Sequence, residues 1–158
     1  MKGIDVQIES LRSTFESLLW TAFNNSFNGR CMHNYREGVI PEVLNDDSHE
    51  YKEVLLDDKF DSIVFFDVLP KRGIGSADVN IYFAVNLSTI YPSVDERATE
   101  HALSDVAMVI KRHANFEMTS ITDGFESWKD WSMVKQEDNM QPFYLFRIET
   151  TVTYNLIC

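Results

Sequence analysis

Apolar residues recur along this chain at two different spacings, and the switch between them divides it into elements. From 4 to 23, Ile4, Ile8, Leu11, Phe15, Leu18, Leu19, Ala22 and Phe23 fall three and four apart, which gathers them on one face of a helix. "NNSFNG" ends it, because Asn and Gly accept the left-handed backbone that stops helices. From Arg30 to Asp61 no period persists, and Pro41, "NDDS" and "LDDKFD" predict loop with at most a short strand at 51–56.

The period then becomes two. In "DSIVFFDVL" both sets of alternate positions are apolar, as in a strand covered on both sides. In "VNIYFAVNLSTIY", Val79, Ile81, Phe83, Val85 and Leu87 point one way, and Asn80, Tyr82, Ala84, Asn86 and Ser88 the other, so one side is core. "PKRGIGSAD" between them carries Pro70, Gly73 and Gly75 and predicts a long hairpin loop. Helical spacing returns in "SVDERATEHALSDVAMVIKRH". Ser93 and Glu96 stand at capping-box distance, Ala98, Ala102, Val106, Val109 and Ile110 form the stripe, and Lys111, Arg112 and His113 complement the dipole at the end. "FEMTSIT" predicts a short strand ending at Asp123-Gly124, while "FESWKDWSMV" fits a helical turn or a strand edge.

The last segment, "PFYLFRIETTVTYNL", alternates through its whole length. Tyr144, Phe146, Ile148, Thr150, Val152, Tyr154 and Leu156 form a mostly apolar face; Arg147, Glu149, Thr151 and Thr153 are poor core residues and define a polar one. The order helix, strand, strand, helix, strand, strand predicts a single α+β domain over 1–158, an antiparallel sheet packed on one face by helices.

Composition narrows the function more than the fold. No apolar run approaches the roughly 20 residues of a membrane span, and the first residues lack the apolar core of a secretory signal, so a soluble chain starting near Met1 is expected. Cys31 and Cys158 are then expected as free thiols. The formal charge of −11 opposes general binding to nucleic-acid phosphates, which rewards clustered Lys and Arg.

Candidate chemistry gives way to simpler readings. "GIG" at 73–75 lacks the third glycine and following helix of a phosphate loop, so it is a turn. Cys31 and His33 have no second Cys/His pair for zinc and no orienting partner for a nucleophile. Asp46-Asp47, Asp57-Asp58 and Glu137-Asp138 miss the ligand spacing of a calcium loop. His49, His101 and His113 are scattered; Trp128 and Trp131 with Phe125 fit a contact patch or a satellite core. No catalytic, cofactor or metal site is expected.

The layout of an amphipathic helix, the hairpin "SIVFFDVLP…ADVNIYFAVNLSTIYP", the helix "ERATEHALSDVAMVI" and the strand "PFYLFRIETTVTYNL" resembles the tail-terminator and tail-completion proteins of tailed bacteriophages. The resemblance is one of pattern and spans most of the chain; residues 30–61 and "FESWKDWSMVKQEDNM" have no counterpart in it. It implies a non-enzymatic virion subunit, assembled in the host cytoplasm, that forms a closed homo-oligomeric ring at the head-to-tail junction or the head-proximal end of the tail. Portal, adaptor or tail-tube proteins would be its neighbours, and DNA would pass its channel without specific binding. Under that reading Lys71, Arg72 and Ile74 reach beyond the sheet to a neighbouring subunit, and Arg147 and Thr151 line a channel or an interface. A host or phage protein-binding module is the alternative, which a stable dimer would favour; a small enzyme ranks after it and would show a cleft with shifted titrating groups.

Overall fold

The helical spacing at the start of the chain folds as α1, Ile4–Leu18, in a computed structural model that describes residues 3–18, 26–33, 41–45, 50–51, 62–92, 97–124, 127 and 143–155. Ile4, Ile8, Leu11 and Phe15 are its buried stripe; the expected extension to 23 and the sites at 46–49, 57–58, 125, 128–138 and 158 lie outside those residues.

Three short strands follow where loop is expected: β1 Ser26–His33, β2 Pro41–Asn45 and β3 Glu50–Tyr51. Backbone pairing organises this stretch. β1 and β2 form an antiparallel pair from Gly29↔Asn45 to His33↔Pro41, and β1 also lies parallel to residues 62–67, so pairing rather than an alternating apolar pattern defines it.

The central strands are β4 Ser62–Gly73, β5 Ser76–Asn86, β6 Phe116–Asp123 and β7 Phe143–Thr153, all mutually antiparallel where they pair. The sheet order is β3-β2-β1-β4-β5-β7-β6, so the last strand in sequence sits between β5 and β6. Two helices punctuate the second half, α2 Leu87–Ile90 and α3 Ala98–Arg112. α3 starts behind Arg97 with no side-chain cap, four residues after the Ser93 cap expected from sequence; Ser93 and Glu96 themselves fall outside the described residues. α2 ends β5 earlier than the alternation predicts, because the Asn86 side chain accepts hydrogen bonds from Thr89 N (3.3 Å) and Ser88 Oγ (2.8 Å).

Cross-strand register explains the core. Phe66 faces Ile81 and Ile81 faces Ile148; Val64 faces Phe83 and Phe83 faces Phe146. These residues share one cluster with the stripes of α1 and α3, so both long helices cover the same face of the sheet. Phe15 stands over this layer, 5.8 Å edge-to-face from Phe83 and 6.4 Å from Phe66, while Phe83 stacks on Phe146 at 4.8 Å. The fold is α+β: the four antiparallel strands β4-β5-β7-β6 carry helices on one face, and β1, parallel to β4, extends the sheet with β2 and β3. The opposite face is buried as well at one end, where Ile63, Phe65, Tyr82, Ala84, Phe143 and Leu145 lie; it opens to solvent at Asp78, Glu117 and Thr153 at the other end. Tyr82 and Ala84, expected on a polar side, are thus core.

Candidate functional site

The segment expected as a long loop is mostly strand. β4 continues to Gly73 and β5 starts at Ser76, with Gly73↔Ser76 and Arg72↔Ala77 paired, so only Ile74 and Gly75 turn the chain. Lys71 and Arg72 are therefore strand positions. Between Val68↔Val79 and Arg72↔Ala77 the register slips, and the extra β4 residues form a bulge around Pro70, whose missing N–H suits a strand edge.

Gly75 makes the tight turn feasible: its φ of +71° is a value that side chains with a Cβ rarely adopt. Its carbonyl accepts a hydrogen bond from Tyr154 N at 3.0 Å, so the residue after β7 braces the turn. The ring of Tyr154 packs against Gly3, where a Cβ would stand 3.0 Å from Cδ2. At this turn Ile74 projects, at 93% exposure.

Arg147 and Thr151 lie on the sheet face away from the helices, facing Tyr82 and Asp78 across the β5–β7 ladder. Alternation predicts a solvated surface for both. Thr151 fits, with its hydroxyl bonded to Asp78 Oδ1 at 3.0 Å on an exposed stretch. Arg147 does not: its side chain is only 14% exposed, held 3.3 Å from Glu149 Oε1, 3.2 Å from the Ser127 carbonyl and 6.0 Å above the Tyr82 ring. Ser127, which no sequence motif marks, is itself fully buried.

A second cluster joins the two long helices. His113, at the end of α3, places Nε2 2.9 Å from Ser10 Oγ of α1 and sets its ring edge-to-face on Phe116. Its Nδ1 is buried and has no partner among the described residues, and burial holds the ring below its ordinary pKa. Beside it Asn115 donates to Gln7 Oε1 at 2.9 Å, within an open cleft of about 150 Å³ that Thr153, Tyr154 and Asn155 complete. At the other end of β7, Tyr144 donates to Asp123 Oδ2 at 2.6 Å; burial, reinforced by that carboxylate, pushes its hydroxyl well above the usual tyrosine range.

The remaining sequence candidates stay apart. Cys31 and His33 are two positions apart in β1, and His101 is exposed on α3 with its ring 6.1 Å from that of Tyr91. Among the described residues no three His, Cys, Asp or Glu gather as a metal cluster, and no helix is long and apolar enough to cross a membrane. Comparison of the chain with protein-family models, with curated proteins and with solved structures finds no match.

Proposed function

We propose that this chain is a structural subunit of a tailed-bacteriophage virion, a tail-terminator or neck component that closes into a homo-oligomeric ring at the head-to-tail junction or the head-proximal end of the tail. Portal, adaptor or tail-tube proteins are its neighbours in this reading, and it works without catalysis or cofactor. The observation that carries the proposal is Ile74. A large apolar side chain held 93% exposed on a braced two-residue turn gains on the order of 1.5–3 kcal/mol when a partner covers it. A rigid sheet presenting such a turn supplies the repeated heterologous contact that a closed ring requires. The charge of −11 supports the same role, since an acidic channel wall lets DNA slide without sticking.

Light scattering and negative-stain electron microscopy of the purified chain test the reading. Closed rings are expected, and Ile74→Ser should shift them toward monomer while leaving the thermal unfolding midpoint unchanged. A stable twofold dimer would assign the chain to the protein-binding modules instead, and a monomer at every accessible concentration would remove the ring.

A further inference from the structure

The last turns of α3 run against the charge of the whole chain. In a protein of net charge −11, Lys111 and Arg112 are both exposed there, and neither joins an ion pair among the described residues. Met108 precedes them by three and four positions, which places it on the same side of the helix, and it is 55% exposed. Ala102, Val106, Val109 and Ile110 face the sheet, so Met108, Lys111 and Arg112 look outward from the helical layer.

The opposite surface of the molecule is complementary. Asp78, Thr151 and Glu117 form one row across β5, β7 and β6, on the sheet face away from the helices, with Asp78 and Glu117 exposed. Strand spacing sets the two carboxylate positions roughly 10 Å apart with Thr151 between them. The Thr151 hydroxyl bonds to Asp78 Oδ1 at 3.0 Å, which fixes one side of the row.

The two surfaces stand at one level. His113 follows Arg112 and sets its ring on Phe116, and Glu117 is the next residue, so the end of α3 and the acidic row share one end of the molecule on opposite faces. The Ile74 turn belongs to that end too, because Tyr154, three residues after Thr151, bonds through its N–H to the Gly75 carbonyl. Two sheet faces meeting directly would set Asp78 and Glu117 against like charge, so a basic surface suits them, and α3 carries one. Rotation without rise joins opposite faces at one level, and repetition of that contact closes a ring.

We propose that neighbouring copies of this chain pack front to back, with Met108, Lys111 and Arg112 of one copy seated on the row of Asp78, Thr151 and Glu117 of the next, beside its Ile74 turn. This rests on the ring reading and names the contact that builds the ring. The cations meet the two carboxylates, and Met108 leaves water between them.

Charge reversal tests it, with light scattering for size, microscopy for shape and circular dichroism for folding. Asp78→Lys with Glu117→Lys, and Lys111→Glu with Arg112→Glu, should each raise the concentration for half-assembly by about tenfold or more, since like charges across an interface are costly. A chain carrying all four reversals should assemble as the wild type does, because its two faces are complementary again. Should a reversed variant fail to fold, Asp78→Asn with Glu117→Gln, and Lys111→Gln with Arg112→Gln, replace it, expected to weaken assembly several-fold and to flatten its salt dependence. Rings that ignore the substitutions, or a folded four-reversal chain that stays apart, overturn the packing while the ring stands. A twofold dimer that responds only to the α3 reversals means α3 against α3 and overturns the packing together with the ring reading, as does a wild-type chain that forms no closed assembly.

Discussion

Phe146 meets Phe83 face to face at 4.8 Å and Tyr144 at 5.3 Å, and no part of it reaches solvent. Through Phe83 it is coupled to Phe15, so one ring on the last strand joins the sheet to α1. Phe146→Ala removes a large volume from a layer whose backbone is fixed on both sides by ladders, and collapse into the hole is restricted. A loss of about 3–5 kcal/mol is expected in urea denaturation. Arg147, the next residue, shows how far a position can depart from its type. Its charge is satisfied by Glu149, a carbonyl and a ring face, so it packs as part of one chain while Thr151, four residues on, keeps a hydroxyl near solvent.

At the scale of elements, His113 clasps the end of α3 to the middle of α1 through Ser10. The folded ring favours its neutral form because burial desolvates it, and the unfolded chain titrates near 6.5. A lowered folded value means that this group's contribution is complete above about 6.5 and is lost as pH falls through the lowered folded pKa, because the unfolded state takes up the proton first. Denaturation at pH 7.5 and pH 5 should therefore show a smaller loss of stability for His113→Gln than for the wild type; equal losses would remove the clasp from the pH response. Legibility follows from the same elements. α1, α3 and the strands at 62–69, 79–86, 116–122 and 143–153 were readable because each repeats its apolar positions at its own period. β1 to β3 were not, since their place depends on pairing beside β4 rather than on alternation. α2 was hidden because Leu87 continues the alternation of β5, and only the Asn86 cap interrupts it. At the candidate site, Gly73 and Gly75 announced a turn, but the brace from Tyr154 and the enclosure of Arg147 by Ser127 come from register between distant segments, which no local pattern carries.

For the whole molecule, β7 decides whether the sheet exists. It pairs with β5 over Ser76–Asn86 and with β6 over Phe116–Asp123, and among the described residues it is the only strand that joins β6 to the rest. Ending the chain after Gln141 removes Phe143, Leu145, Phe146, Ile148 and Val152 from the core, each contributing on the order of 1.5–3 kcal/mol against a total of roughly 5–15 kcal/mol for a domain. The truncated protein should be insoluble or cut rapidly by protease; a soluble, cooperatively melting product would show that the remaining strands close without it. The same placement has a consequence during synthesis. While a ribosome is still adding residues 124–142, β5 and β6 already exist as sequence but the strand that must lie between them has not been made. The nascent chain then carries β5, paired with β4 on one side only, and β6 without the strand that both must pair with, and the sheet can close only after the tunnel has released Thr153. Holding by a general chaperone over that interval, rather than stepwise folding as each hairpin emerges, is what this strand order asks of the cell.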